Sequence, residues 1–424
     1  MSVSALVGLQ CIRCGRPSGS RHPALGCRWC TDEGVPARLV SLYDLERASQ
    51  AFSPSALADR PPGPLRYREL LPVDVDEVVT LGEGDTPLLP ARRLAAELGV
   101  GSLWIKDESR NPTWSFKDRA ASMAASVARA ERRTGLMVSS TGNAAAATAA
   151  FAHAAELPVV VLVAVGVDPV MNGLVQGYEV PIVATRTKKD RWVLLRHGVE
   201  ELDFFPSSNI TEPPVGVDPR VVDGYKTLGF EIWEQLGHRT PGHVYLPVGY
   251  GDGLFGIFRA FVELQAMGYA DLPRLSGGEV YGSLAEALRS DDRIPEMPVD
   301  RPTVASSIAT AQTAYQALVA VRGSGGAVTP VSDEEITSAQ GLLVSTEGLF
   351  VESAAAAGLA ALRRHVADGR IGGADEVVLV TTSAGVKSIA AMGLTEREPP
   401  MVDGVEEFSR LVPTLVQAVR RPSP

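Results

Sequence analysis

From Leu81 onward the chain alternates short, nearly uninterrupted apolar runs with alanine-rich stretches of helical length, and this leaves few architectures open. The apolar runs fall at 102–105, 136–139, 158–165, 181–183, 244–246, 279–281 and 376–381. Strands without polar residues at alternate positions are covered on both faces, and helices between consecutive strands supply that cover. The stretches 119–133, 143–155 and 255–267 read as such helices. The expected class is α/β, with open, twisted, mainly parallel sheets. At 424 residues, 45% of them hydrophobic, the chain has room for two domains and an appendage.

The appendage is marked by cysteine. All four lie in the first 30 residues, as the pairs Cys11/Cys14 and Cys27/Cys30. Two CxxC knuckles offer four thiolates to a tetrahedral Zn²⁺ in a ribbon too small for its own core. Disulfides, or a ribbon that no longer holds metal, are the alternatives. His22, between the knuckles, is expected in a solvent-facing loop. Residues 1–40 are read as a zinc-ribbon-like module, and the Pro- and Arg-rich 41–80 as a linker or an arm lying on the main body. A net charge of −10 and a pI near 5.3 argue against nucleic acid and against an anionic membrane surface. Arg13, Arg16, Arg21, Arg28 and Trp29 give the ribbon some basic character, so a nucleic-acid role for it is a minor alternative. No run of about 18 apolar residues occurs, and a cytoplasmic protein is expected.

The chain has 34 arginines and six lysines, so each lysine is informative. Lys117 lies in NPTWSFKDRA, where Ser115 is expected to cap a helix and place the amine in its first turn. The positive helix end and burial against Phe116 and Trp114 would lower its pKa, as an amine needs for attack on an aldehyde. A salt-bridged surface lysine is the bland alternative. Ser139-Ser-Thr-Gly-Asn143 follows a strand and opens a helix, which suits a carboxylate. Pro247-Val-Gly-Tyr-Gly-Asp-Gly-Leu254 does the same with three alternating glycines, which suits a phosphate. Lysine, carboxylate loop and phosphate loop together suggest pyridoxal 5′-phosphate bound to an amino-acid substrate.

The segments GEGDTPL (82–88), KDESRNPTWSFKDR (106–119), SSTGN (139–143), DGYKTLGFEIWEQLG (223–237), PVGYGDGL (247–254), SDEE (332–335), EGLFVESAAAAGLAAL (347–362) and VTTSAGVKS (380–388) resemble threonine synthases. These are fold-type II, tryptophan-synthase-β-like enzymes that use pyridoxal phosphate. The resemblance spans about residues 81–390 in collinear order, and the cysteine ribbon leading into VSLYDLE (40–46) resembles the front end of many threonine synthases. It implies two α/β domains with the cofactor between them: a large one from 81–115 and 225–400, and a small one from 116–224, with 401–424 as a tail. It implies that Lys117 forms the imine with the cofactor, with Phe116 against the ring, Asn143 on the 3′-oxygen and Thr382 facing the pyridine nitrogen. Gly249, Tyr250, Gly251, Asp252 and Gly253 would form the phosphate cup. Ser140, Thr141, Gly142, Ala144, Thr86, Trp114 and Arg220 would contact substrate.

The implied protein is a homodimeric lyase or transferase that eliminates or replaces an amino-acid side-chain group, nominally converting O-phosphohomoserine to threonine and phosphate. Several positions depart from the family pattern. Ala144 replaces a threonine, Val215-Gly216 an Asn-Ser pair and Val221 an arginine, with Arg220 one residue off register. Tyr250, Asp252 and Trp114 also depart. Together these remove donors for a dianionic substrate, so a relative acting on an unphosphorylated or unusual amino acid in specialised metabolism is the alternative. A pyridoxal-phosphate-binding regulator without turnover is a second. Asp252 is expected to face substrate or solvent. Lys226 is read as a helix-start surface residue, Lys188 and Lys189 as loop charge, and Lys387 as a charge near the site mouth.

Overall fold

The computed structural model describes residues 3–164, 169–290, 292–389, 400–401 and 405–420, except for the side chains of 188 and 415–420. Residues 1–392 form one compact unit; the helix Val405–Arg420 lies in another. None of the described helices is long and apolar enough to cross a membrane.

Strands β1 (Leu6–Cys11), β2 (Pro17–Ser18) and β3 (Leu39–Tyr43) form an antiparallel N-terminal sheet in the order β2-β1-β3. β3 crosses the expected boundary at residue 40. The segment beyond it packs on the main body. Phe52 stacks on Trp233, and Arg66 and Tyr67 both bond Glu234. The ribbon has no separate core: Cys11, Cys27 and Cys30 share one apolar cluster with Phe52 and Trp233.

A six-stranded sheet comprises β4 (Leu88–Pro90), β5 (Ser102–Asp107), β10 (His243–Pro247), β11 (Arg274–Glu279), β12 (Val328–Pro330) and β13 (Glu376–Thr381). Its order is β12-β11-β10-β13-β5-β4, parallel except for the β4 edge. A parallel four-stranded sheet comprises β6 (Leu136–Ser139), β7 (Val159–Ala164), β8 (Ile182–Thr185) and β9 (Phe205–Pro206), in the order β8-β7-β6-β9. Strands therefore continue as expected from the Val/Leu runs, with one displacement. The run predicted at 279–281 is strand only at its first residue, and β11 lies before it. A Cβ on its Gly277 or Gly278 would meet backbone oxygen of Leu246 or Ala357 at 2.3 or 2.2 Å. Close packing, not a turn, requires glycine there.

The same logic brings the site helices together. A Cβ on Gly224, in the helix Pro219–Gln235, would lie 2.0 Å from the carbonyl oxygen of Arg119, in the helix Lys117–Ala130. Beneath this crossing Arg119 bonds both Glu108 and Glu231 at 2.7 Å, and Lys106 bonds Glu231 at 2.7 Å. All four side chains are buried, and their charges tie β5 to both helices.

Candidate active site

Lys117 is the first residue of its helix, and an antiparallel bridge sets its position. Phe116 N–H donates to Thr382 O (2.9 Å) and Ala384 N–H donates to Trp114 O (3.1 Å), which seats the helix start against the end of β13. Ser115 does not cap the helix: its hydroxyl is buried without a partner, and Phe116 occupies the cap position. The turn is closed instead by Asp118, whose carboxylate accepts from the Thr113 amide (2.6 Å) and hydroxyl. Trp114 does not bury the amine either. It is 47% exposed, with φ 59°, a left-handed backbone that glycine adopts more readily than any other residue.

The Lys117 amine lies 4.7 Å from the Phe116 ring centre and 5.6 Å from that of Tyr225. Among the described residues it has no hydrogen-bond or ion-pair partner. Burial pushes its pKa down, against the opposing pull of Asp252 and Glu352.

Asn143 opens the next helix, Asn143–Ala154, after β6. Its Nδ2 donates to Glu352 Oε2 (2.7 Å), and its Oδ1 accepts from Lys387 Nζ (2.7 Å). Ser307 donates to the other Glu352 oxygen. Lys387 is buried, not a charge at the mouth, and burial pulls its pKa down to about 8 against Asp118 and Glu352. Glu352, Ser307 and Tyr225 were not singled out from the sequence. Glu352 sat inside a quoted motif, but only the fold brings it to Asn143.

The two loops present backbone amides without protein acceptors. In the glycine loop, Thr313 binds Gly249 O (2.7 Å) and Gln316 binds Tyr250 O (3.0 Å), which turns the carbonyls away. The amides of 249–253 find no protein acceptor among the described residues, and they point from the start of the helix Asp252–Ala266. Gly251 has φ 85°, and a Cβ there would strike Ala317 Cβ at 2.4 Å; one on Gly253 would meet the Phe116 ring at 2.7 Å. In the second loop the amides of Thr141, Asn143 and Ala144 are likewise unclaimed, while Ser140 Oγ accepts from the Gly142 amide (3.2 Å). The Thr382 hydroxyl also has no protein partner among the described residues. A partnerless amine, a ring beside it and a cradle of free amides fit pyridoxal phosphate.

Four expectations about side chains need correction. Asp252 faces neither substrate nor solvent: it is buried, and its Oδ1 accepts from Arg38 Nη1 at 2.8 Å. Thr86 is not free for substrate, because its hydroxyl donates to Glu108 and its carbonyl accepts from Lys106. Arg220 is committed to Asp218 and Glu131 and lies over Phe205. Val221, at the family's arginine position, is fully buried. Lys226 is also not a surface residue: it is buried, paired with Glu263 (3.0 Å) and seated over Tyr43. Lys189 is exposed and Lys188's side chain lies outside the described residues.

The four cysteine sulfurs lie within 4.8 Å of one another, with Cys11–Cys30 at 3.6 Å and Cys14–Cys27 at 3.7 Å. A tetrahedral zinc with bonds near 2.3 Å sets its sulfurs about 3.8 Å apart, so the donors fit that ion. They are free thiols, not disulfides.

Fold and site together define an α/β pyridoxal-phosphate enzyme of fold type II. Residues 79–383 match the sequence profile of the family described as "Pyridoxal-phosphate dependent enzyme". Threonine synthase of Methanosarcina acetivorans is 34% identical over 403 residues, covering 93% of this chain and 96% of that one. Threonine synthase of Methanocaldococcus jannaschii is 32% identical over 405 residues, with the same coverage. Among solved structures, threonine deaminase isoform 2 from Solanum lycopersicum superposes with a TM-score of 0.59 at 20% identity, covering 79% of this chain and 83% of that one. Diaminopropionate ammonia lyase from Escherichia coli gives 0.62 at 17%, covering 74% and 88%; these two likenesses concern the fold alone. The chain belongs to the pyridoxal-phosphate-dependent enzyme family, as a threonine-synthase-like lyase.

Proposed function

We propose that the nominal reaction is conversion of O-phosphohomoserine to threonine and phosphate, by a homodimer in the cytoplasm with a structural Zn²⁺ on Cys11, Cys14, Cys27 and Cys30. The observation that carries the reading is the partnerless Lys117 amine at the bridged helix start, with Asp252 of the glycine loop close enough to act on its charge. Bound pyridoxal phosphate supplies an aldehyde for covalent attachment of amino acids and a ring that draws electrons from their α-carbon. The amides of 249–253 would hold its phosphate, Phe116 would lie against its ring and Asn143 would meet its 3′-oxygen. Thr382 would face the ring nitrogen, where a hydroxyl would not keep a proton as a carboxylate would, and this would favour elimination and replacement. The amides of Thr141, Asn143 and Ala144 would receive the substrate's α-carboxylate. Lys117, its pKa lowered by burial, would take the α-proton and then a β-proton as phosphate leaves the γ-carbon; a proton returned at the γ-carbon, water added at the β-carbon and the α-proton restored would balance threonine plus phosphate.

Holoprotein given O-phospho-L-homoserine is expected to release phosphate and form threonine in equal amounts, and Lys117→Ala to abolish both. Full turnover in that variant would overturn the assignment. A second reading is an unphosphorylated or unusual amino acid, in specialised metabolism. It is favoured by Arg220 being spent on Asp218 and Glu131 and by the buried Val221. Turnover of L-homoserine, L-serine or L-threonine, with no phosphate released from the phosphorylated substrate, would establish it.

A further inference from the structure

Three arginines are buried among the described residues: Arg38, Arg119 and Arg191. Arg38 is paired with Asp252, and Arg119 with Glu108 and Glu231. Arg191 is 7% exposed, and no acceptor among the described residues reaches any of its nitrogens; Nε is fully enclosed. A guanidinium cannot escape this by losing its proton. Its place makes matters worse, since it lies near the start of the helix Lys188–Glu200, where the helix dipole repels a cation. The neighbouring acids do not help. Asp190 is spent on the capping box with Thr187, and Glu212 pairs with Lys189 at 3.3 Å.

That helix leaves the carboxyl end of β8, the same sheet edge at which β6 delivers Ser139 and the 140–143 loop. Ligands of parallel sheets bind at this edge. Tyr250, from the glycine loop, is the group whose charge state Arg191 feels, and its phenol has no protein partner among the described residues. Burial raises the phenol to about 12, with Arg191 opposing, so it remains a donor at neutral pH.

We propose that Arg191 and the Tyr250 hydroxyl form a subsite for an oxyanion, phosphate or carboxylate, at the far end of the amino-acid substrate's side chain. The guanidinium fork offers paired N–H donors and the full positive charge, and the phenol a further donor. A neutral or cationic side chain would leave the guanidinium uncompensated. The subsite deepens the functional reading above and rests on it: charge absent at Val221 and turned away at Arg220 is restored from a different helix.

The test titrates holoprotein with O-phospho-L-homoserine, L-glutamate and L-homoserine and follows the cofactor's absorbance. Wild type is expected to respond to one of the two anionic compounds at a concentration at least tenfold below L-homoserine, and which one identifies the anion. Arg191→Met should weaken the preferred anionic ligand about 10- to 100-fold and collapse that preference. Arg191→Lys should keep part of it, and Tyr250→Phe should lose a smaller part. If Arg191→Met does not hold cofactor, the Arg191→Lys and Tyr250→Phe titrations decide. An anionic preference untouched by all three variants, or none in wild type, overturns the subsite while leaving the enzyme assignment standing. No spectral response to any amino acid in wild type overturns both.

Discussion

Replacing Arg38 by methionine should loosen the grip on the cofactor from a position in the cysteine ribbon. The Arg38 side chain is 1% exposed, with Nη1 on Asp252 (2.8 Å), Nη2 on Val217 O (3.0 Å) and Nε on Leu39 O (3.1 Å). Its guanidinium lies 5.4 Å from the Phe255 ring centre. Asp252 begins the glycine-loop helix, so without Arg38 a carboxylate remains unneutralised beside amides meant for a phosphate. Breaking a buried pair costs about 3–5 kcal/mol. The helix N-terminus returns about 0.3–1 kcal/mol to the stranded carboxylate, and Val217 N–H and Gln316 Nε2 still donate to it at 3.3 Å. The expected net loss is about 2–4 kcal/mol in urea unfolding, together with at least tenfold weaker cofactor retention after dialysis. The double variant Arg38→Met/Asp252→Asn removes both charges and should recover most of each loss. An unchanged unfolding midpoint and retention in Arg38→Met, or a double variant no better than the single, would refute the reasoning.

The ribbon holds Arg38 through both knuckles, as Ile12 N–H donates to Arg38 O (3.2 Å) and Cys27 N–H to Ala37 O (2.8 Å). Stripping bound zinc with a chelator should therefore lower cofactor retention, and adding zinc back should restore it; retention indifferent to metal would separate the two sites. Gly251→Ala places a Cβ 2.4 Å from Ala317 Cβ at φ 85°. It should weaken cofactor binding at least tenfold by absorbance titration, with about 1–2 kcal/mol of backbone strain. Burial raises the Glu231 carboxyl, but Arg119 and Lys106 overcome this and hold it at about 2. Its folded pKa is depressed, so its stabilisation is complete above the ordinary carboxylate range near pH 4.5 and is lost as pH falls towards 2. That amounts to about 3 kcal/mol. Acid unfolding followed by circular dichroism should be shallower in that window for Glu231→Gln, which should also be less stable at pH 7.

What could be read from the sequence was whatever depends on neighbours along the chain. Strands β6, β7 and β13 announced themselves because both their faces are buried in apolar side chains. The loops around 139–143 and 247–254 were legible because a strand, a glycine and a helix start follow one another locally. Edge strands β4 and β12 and the two-residue β9 were not, since so few residues carry no period. The 41–80 arm has no period either, because stacking on Trp233 and bonds to Glu234, not an amphipathic face, hold it in place. The Arg38–Asp252 pair joins residues 214 apart, and Glu352 reaches Asn143 across 209. Pairings at such separation leave no local trace, and so Asp252 was misplaced; Thr86 and Lys226 find their partners 22 and 37 residues away, on other elements, which no local pattern shows either.

The use of cations in this chain follows from one chemical difference. Lysine can surrender its proton when buried and arginine cannot. Arginine outnumbers lysine 34 to six, and buried arginine serves where a permanent charge meets acids, as in Arg38 and Arg119. Lysine at 106 and 226 does the same, paired with Glu231 and Glu263. Among the described residues, Lys117 and Arg191 are two cations near the site loops without a protein acceptor, and their chemistry suits them to opposite tasks. The first can be neutral and act as nucleophile and base; the second stays charged and needs an anion. Lys117→Arg should therefore keep the fold and the charge, losing both turnover and the borohydride-fixed label on the protein. A labelled or active Lys117→Arg protein would show that the amine at 117 is dispensable, and the division of labour between the two cations would fall with it.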